Sequence, residues 1–256
     1  MDWLYFLFLF VLTVAGGLVP FGLKKIEPSF TKLLLAFSGA FLFGITVVHL
    51  LPESFEELGH SAGIFIVLGF FLQLALQKYT HGMEHGHSHV HLPEHHNGHY
   101  HPVSVAPIML GLSVHALLEG IPLGFNFFNE ATRPALFLGV AAHKFPEALT
   151  LTTVLIASGR NSRKNIFSLV QFALISPLAG ILGMLYGQKF LFVQQMLSYM
   201  VPIVIGSFLH ISTTIFYESG TKHHELSWKK IFFIALGAGA AMLTLLLDTH
   251  SHSHHH

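Results

Sequence analysis

The chain has 256 residues, of which 52% are hydrophobic and only 10% charged, with a mean hydropathy of +0.60. A soluble domain carries about 25% charged residues, so a chain this apolar cannot cover a water-facing surface and reads as an integral membrane protein. Its 13 basic and 13 acidic residues cancel, which gives no sign of nucleic acid as a partner, and the absence of cysteine excludes disulfides and thiolate metal ligands.

Met1-Asp2-Trp3 runs directly into an apolar stretch without the basic n-region or small-residue cleavage site of a secretory signal. The first segment is therefore expected to be a retained span. Apolar runs of about 20 residues, the length a span requires, follow in order at 3–23, 33–52, 60–78, 103–128, 134–158, 166–187, 195–217 and 231–248, the third and eighth being short. They are continuous and do not alternate every second residue, which points to helices and not to barrel strands. The expected fold is an all-α integral membrane domain over 1–256 with eight transmembrane helices. The lipid bilayer is its obligatory partner and a homodimer is one assembly to consider. A bacterial inner membrane is the expected location.

Basic residues set the orientation. Lys24, Lys25, Lys32, Lys78, Arg160, Arg163, Lys164, Lys222, Lys229 and Lys230 lie in or beside the connections after odd-numbered spans, against Arg133 and Lys189 on the other side. Both termini are thus expected outside, and the connection between the third and fourth spans in the cytosol. That connection, 81–101, reads HGMEHGHSHVHLPEHHNGHYH, and nine of its 21 residues are histidine: His81, His85, His87, His89, His91, His95, His96, His99 and His101. Its Gly, Pro and Asn content marks it as a disordered low-complexity segment. Near pH 7 its imidazoles are largely neutral and competent to bind metal loosely. The His-rich tail at 249–256 is assigned no function.

The chemistry lies in the fourth and fifth spans. His115 and Glu119, and again His143 and Glu147, are four residues apart, one helical turn on one face. A charged residue at the centre of a span costs roughly 2.5–3.5 kcal/mol, so two glutamates cost on the order of 5–7 kcal/mol unless a cation offsets them. Two facing helices would offer two nitrogens and two carboxylates, a ligand set for a divalent transition metal, Zn²⁺ most naturally, with Fe²⁺, Mn²⁺ or Cd²⁺ as alternatives. Pro122 and Pro146 cannot donate to the carbonyls of Leu118 and Ala142; irregular backbone at membrane depth is tolerated where it lines a cavity. The bland reading is a pair of His–Glu hydrogen bonds gluing helices together.

A third such pair, His49 and Glu53, ends the second span and is followed by Glu56, Glu57 and His60; it reads either as an access route for cations or as a plain solvated helix end. HLLPES at 49–54 is echoed by TIFYES at 214–219, at the end of a span that runs the other way. This suggests a three-helix unit repeated in inverted orientation, a transporter habit, and adds His210 and Glu218 as pathway candidates.

HALLEGIPLG in the fourth span, HKFPEALTL in the fifth, SPLAGILG in the sixth, HLLPES and the His-rich loop together resemble the ZIP (Zrt/Irt-like) metal-transporter family over essentially the whole chain. The resemblance implies a 3+2+3 helix arrangement with both termini outside, uptake of divalent metal into the cytosol as substrate, no cofactor, and His115, Glu119, His143 and Glu147 as ligands. Many relatives hold a second metal beside the first; here its added positions read Ala116, Lys144 and Ser176, which implies a mononuclear site with the Lys144 ammonium in place of the second ion. The competing reading has Lys144 reaching to water along the helix surface. An intramembrane metallohydrolase would need an open coordination position and a general base, and a cation exporter would usually have six spans and a soluble domain. The reading is therefore a transporter and not an enzyme.

Overall fold

The computed structural model describes residues 2–23, 28–80, 105–124, 132–187, 189, 191–218 and 227–251. The loop histidines at 81–101 and the end of the tail lie outside them. All regular structure among these residues is helical: α1 (Asp2–Gly22), α2 (Pro28–Ile45), a π-helical turn (Thr46–Leu50), α3 (Leu51–Leu58), α4 (His60–Thr80), α5 (Val105–Leu123), α6 (Thr132–Ala157), α7 (Ser162–Tyr186), α8 (Leu191–Glu218) and α9 (Trp228–Ser251). Six are long and apolar enough to cross a membrane: α1, the α2–α3 rod, α4, α5, α7 and α8. The short third run expected from sequence is a full 21-residue helix, α4. By contrast α6 carries Arg133, Lys144 and Glu147, and only packing inside the bundle can make those residues tolerable there.

Helix ends follow local chemistry. Pro28 opens α2, where its missing N–H would have had no partner anyway. The Asn161 side chain accepts the Arg163 N–H at 2.8 Å to cap α7. Gly59, at φ 55°, makes the sharp turn between α3 and α4, a left-handed conformation that costs glycine little. The second span was expected to end at 52. The helical rod instead continues to Leu58, because the π turn and the Pro52-headed α3 extend it without a break.

Close packing is set by small residues, the usual device where lipid provides no hydrophobic drive between helices. The most extensive pairings are α4 with α8, α2 with α9, α1 with α6 and α5 with α7. A Cβ at Gly69 or Gly206 would strike the backbone of Ile203 or Ile66 across the α4–α8 contact; one at Gly237 would strike Phe37 across α2–α9; one at Gly16 would strike Phe145 across α1–α6. Gly120 and Gly183 play the same part between α5 and α7. Two apolar clusters result. The larger is built on Leu42, Ile45, Leu136, Val140, Ile205 and Phe208, and the smaller on Ile108, Leu112, Leu151, Leu169 and Phe172.

Gly69→Val or Gly206→Val should therefore separate α4 from α8 and destabilise the protein by about 1–3 kcal/mol. Gly239, where an added Cβ meets nothing within 4 Å, is the control. Thermal unfolding in detergent should show a clear loss for the first two and no loss for Gly239→Ala.

Candidate metal centre

Helices α5, α6 and α7 meet around His115, Glu119, His143 and Glu147, which are all buried. One potential ligand atom from each lies within 4.8 Å of the others. His115 Nε2 is 3.4 Å from Glu119 Oε2, and His143 Nε2 is 2.9 Å from the same oxygen. The two imidazole rings stand 5.7 Å apart between centroids. Residues on neighbouring turns of two helices thus converge on one point, as the i, i+4 spacing requires.

The proton on His143 is placed by geometry. Its Nδ1 lies 2.9 Å from the Gly139 carbonyl, which can only accept, so Nδ1 carries a hydrogen and, in the neutral ring, Nε2 keeps a lone pair. That lone pair faces a carboxylate oxygen at 2.9 Å. Two acceptors this close require positive charge on or between them, as a proton or as a metal ion. A histidine held through its other nitrogen by a backbone carbonyl is the usual arrangement of a metal ligand.

Lys144 does not reach water. Only 1% of it is exposed; its ammonium contacts Glu119 Oε1, donates to Glu147 Oε2 at 2.8 Å, and lies 4.7 Å from the centre of the Phe172 ring. The competing reading, a path along the helix surface to solvent, does not match this burial; the two carboxylates that most need a cation lie within its reach. Ser176 Oγ, on α7, is 3.1 Å from Glu119 Oε1 and 3.0 Å from the Ala116 carbonyl. Ala116 is fully buried and brings no side-chain donor. Phe208 closes another side, edge-on to His143 at 5.5 Å.

Beside the centre a small cavity of about 10 Å³ is lined by Gly69, Gln73, His115, Glu119, Ile203 and Ser207, among others. That is the lower bound of room for one water. From it a polar ladder runs along the α4–α8 seam: Ser207 Oγ is 2.9 Å from Gln73 Oε1, and one turn on, His210 Nε2 is 2.9 Å from Gln77 Oε1. Gln73 and Gln77 were not singled out from sequence, although two glutamines four residues apart in an apolar span were a usable signal. Phe172 and Phe208 carried none.

The remaining candidates are dispersed. His49 is not solvated: it is 4% exposed in the π turn, and its Nε2 lies 2.9 Å from Thr244 Oγ1 on α9. The Thr244 hydroxyl donates to the Ala241 carbonyl and so accepts from His49. Glu53 is half-buried, whereas Glu56, Glu57 and His60 are exposed. None of these joins the central cluster. Helix α8 reaches Glu218, but its side chain, like the loop histidines, lies outside the described residues.

The model of the ZIP zinc transporter family matches residues 77–246. That stretch contains all four clustered residues and covers most of the chain. The chain belongs to the ZIP zinc transporter family. It is 31% identical over 135 residues to the zinc transporter ZIP9 of Micropogonias undulatus, covering 52% of this chain and 42% of that protein. It is 36% identical over 98 residues to the zinc transporter ZIP2 of Homo sapiens, covering 38% of this chain and 30% of that one. The matches span less than half the length of either relative. Both relatives are eukaryotic and lend no support to the bacterial inner membrane expected from the sequence.

The ion cluster yields a prediction that needs no transport assay. Lys144→Met strands two buried carboxylates without their ammonium, and breaking a buried pair this way costs about 3–5 kcal/mol. Metal-free thermal unfolding should show that loss, and adding Glu119→Gln and Glu147→Gln together should recover much of it.

Proposed function

We propose that this protein carries a divalent transition metal, zinc best of all, across a membrane into the cytosol through a mononuclear site formed by His115, Glu119, His143 and Glu147. The observation that carries the reading is the convergence of four buried donors, one from each residue, within 4.8 Å. Two neutral imidazoles and two carboxylates without a thiolate suit Zn²⁺, with Fe²⁺, Mn²⁺ and Cd²⁺ as lesser candidates. The metal is substrate, not cofactor. Relatives named as zinc transporters favour this over a metallohydrolase.

Lys144 stands where a second ion would need the same carboxylates, and neither Ala116 nor Ser176 supplies an anionic ligand. With two carboxylates and one ammonium, the centre carries a formal charge of about −1 before metal arrives. A cation therefore binds less tightly than to two free carboxylates and leaves more easily.

Eight crossings in a 3+2+3 order, with both termini outside, fit the helix pairings. In each of the four most extensive pairs the contacts advance together along both helices, as in Gly69 with Ile203, Gln73 with Ser207 and Gln77 with His210. Such parallel neighbours arise when the partners are separated by whole outward-and-return passages. Exchanging α1 with α7, α2 with α8, α4 with α9 and α5 with α6 turns each of these pairs into another of the four. An inverted repeat has this property. In that orientation the α4–α8 ladder leads from the centre toward the cytosol, so Gln73, Ser207, Gln77 and His210 line the release route. His49, Glu53, Glu56, Glu57 and His60 mark the outer end. The loop 81–101 senses or buffers metal on the cytosolic side.

Uptake of metal into proteoliposomes tests the reading. Alanine at His115, Glu119, His143 or Glu147 should cut uptake by about tenfold or more while leaving membrane insertion intact; uptake near the original level in Glu119→Ala or Glu147→Ala would refute the site. Deleting 81–101 should preserve basal uptake and alter the response to high metal on the cytosolic side.

A further inference from the structure

Each carboxylate of the centre is already half engaged. The Lys144 ammonium holds Glu119 Oε1 and Glu147 Oε2, and Ser176 Oγ lies 3.1 Å from Glu119 Oε1, its single hydrogen shared between that oxygen and the Ala116 carbonyl at 3.0 Å. The atoms of these four residues left without a hydrogen-bond partner are the complementary ones: Glu119 Oε2, Glu147 Oε1, His115 Nε2 and His143 Nε2. One donor atom remains on each residue.

We propose that Lys144, seconded by Ser176, sets the denticity of the centre and through it the choice of cation. By holding one oxygen of each carboxylate, it restricts Glu119 and Glu147 to a single bond each. The cargo ion then meets four protein donors and no more. This rests on the reading of the cluster as the transport site.

Cations differ in how they respond to that restriction. Zn²⁺ accepts four ligands at about 2.0–2.1 Å, and a tetrahedron of that size has edges of about 3.3 Å. Two of the six donor separations, 3.4 Å and 2.9 Å, lie near this edge, and all four donors lie within 4.8 Å of one another. Mn²⁺ prefers six oxygen-rich ligands, and Ca²⁺ takes six to eight, often with bidentate carboxylates. For such ions a carboxylate oxygen held by an ammonium is a lost ligand. The lining offers little replacement: the adjoining cavity, about 10 Å³, has scarcely room for one water.

A role for Lys144 in charge alone makes a different prediction. Every divalent cation carries the same charge, so neutralising one carboxylate weakens all of them alike and leaves their ratio unchanged. A role in denticity changes the ratio.

The experiment titrates purified protein in detergent with Zn²⁺ and with Mn²⁺, and counts the donor atoms bound to the ion by X-ray absorption at each metal edge, for the unaltered protein, Lys144→Met and Ser176→Ala. The expected zinc shell in the unaltered protein is four nitrogen and oxygen donors. Lys144→Met should narrow the preference for Zn²⁺ over Mn²⁺ by about tenfold or more and enlarge the manganese shell; Ser176→Ala should move the ratio the same way by less. A zinc shell of more than four donors in the unaltered protein overturns the proposal. So does a preference in Lys144→Met within about twofold of the original, with both affinities shifted together. If Lys144→Met does not fold, the zinc shell of the unaltered protein and the ratio in Ser176→Ala decide. Zinc binding that survives His115→Ala and Glu119→Ala together refutes instead the reading of the cluster as the metal site, so the two failures are distinguishable.

Discussion

The structure turns on two carboxylates buried among apolar helices. Glu119 and Glu147 are each 1% exposed, in surroundings where an uncompensated charge is costly. The Lys144 ammonium bridges them, Ser176 lies within hydrogen-bond reach of Glu119, and two imidazoles turn their Nε2 atoms inward. The compensation is incomplete by about one unit of charge, which is what a site for a mobile cation needs. Full neutralisation would leave nothing to attract an ion, and none would not fold.

Helix packing serves that arrangement. Three helices must approach closely for side chains from α5, α6 and α7 to reach one point, and glycine makes this possible. The backbone of Ser176 lies directly against Gly120, one residue from Glu119, which is how the serine hydroxyl comes within reach of the carboxylate. On the far side, Gly69 and Gly206 draw α4 against α8 and so bring Gln73 and Ser207 to the edge of the centre. Substituting these glycines would change those distances without touching any of the four clustered side chains.

The π turn at Thr46–Leu50 shows the limit of reading residue spacing alone. From sequence, His49 and Glu53 form an i, i+4 pair like the two central ones. His49 lies inside the π turn, and its Nε2 reaches Thr244 on α9. Such turns recur at functional positions. Here it holds a buried histidine against α9 where the sequence offered an access route or a solvated helix end, with exposed Glu56 and Glu57 beyond it.

Much of this protein was legible in the order of its residues. Apolar runs of membrane length, each bounded by charge or turn residues, located the helices, because lipid leaves a backbone few alternatives to satisfying its own hydrogen bonds. The spacing of His115 with Glu119 and His143 with Glu147 placed each pair on one face, since 3.6 residues per turn is a local property. What spacing could not decide was which face turns inward, how near the helices come, and where a long flexible side chain ends. Those depend on residues distant in sequence: on α7 presenting Ser176 and Phe172, on α8 presenting Phe208, and on Gly139 accepting from His143 once the ring has turned. Lys144 is the clearest case. As a residue in a row it could reach water or a carboxylate, and only the fold, by burying both glutamates around it, decides between them.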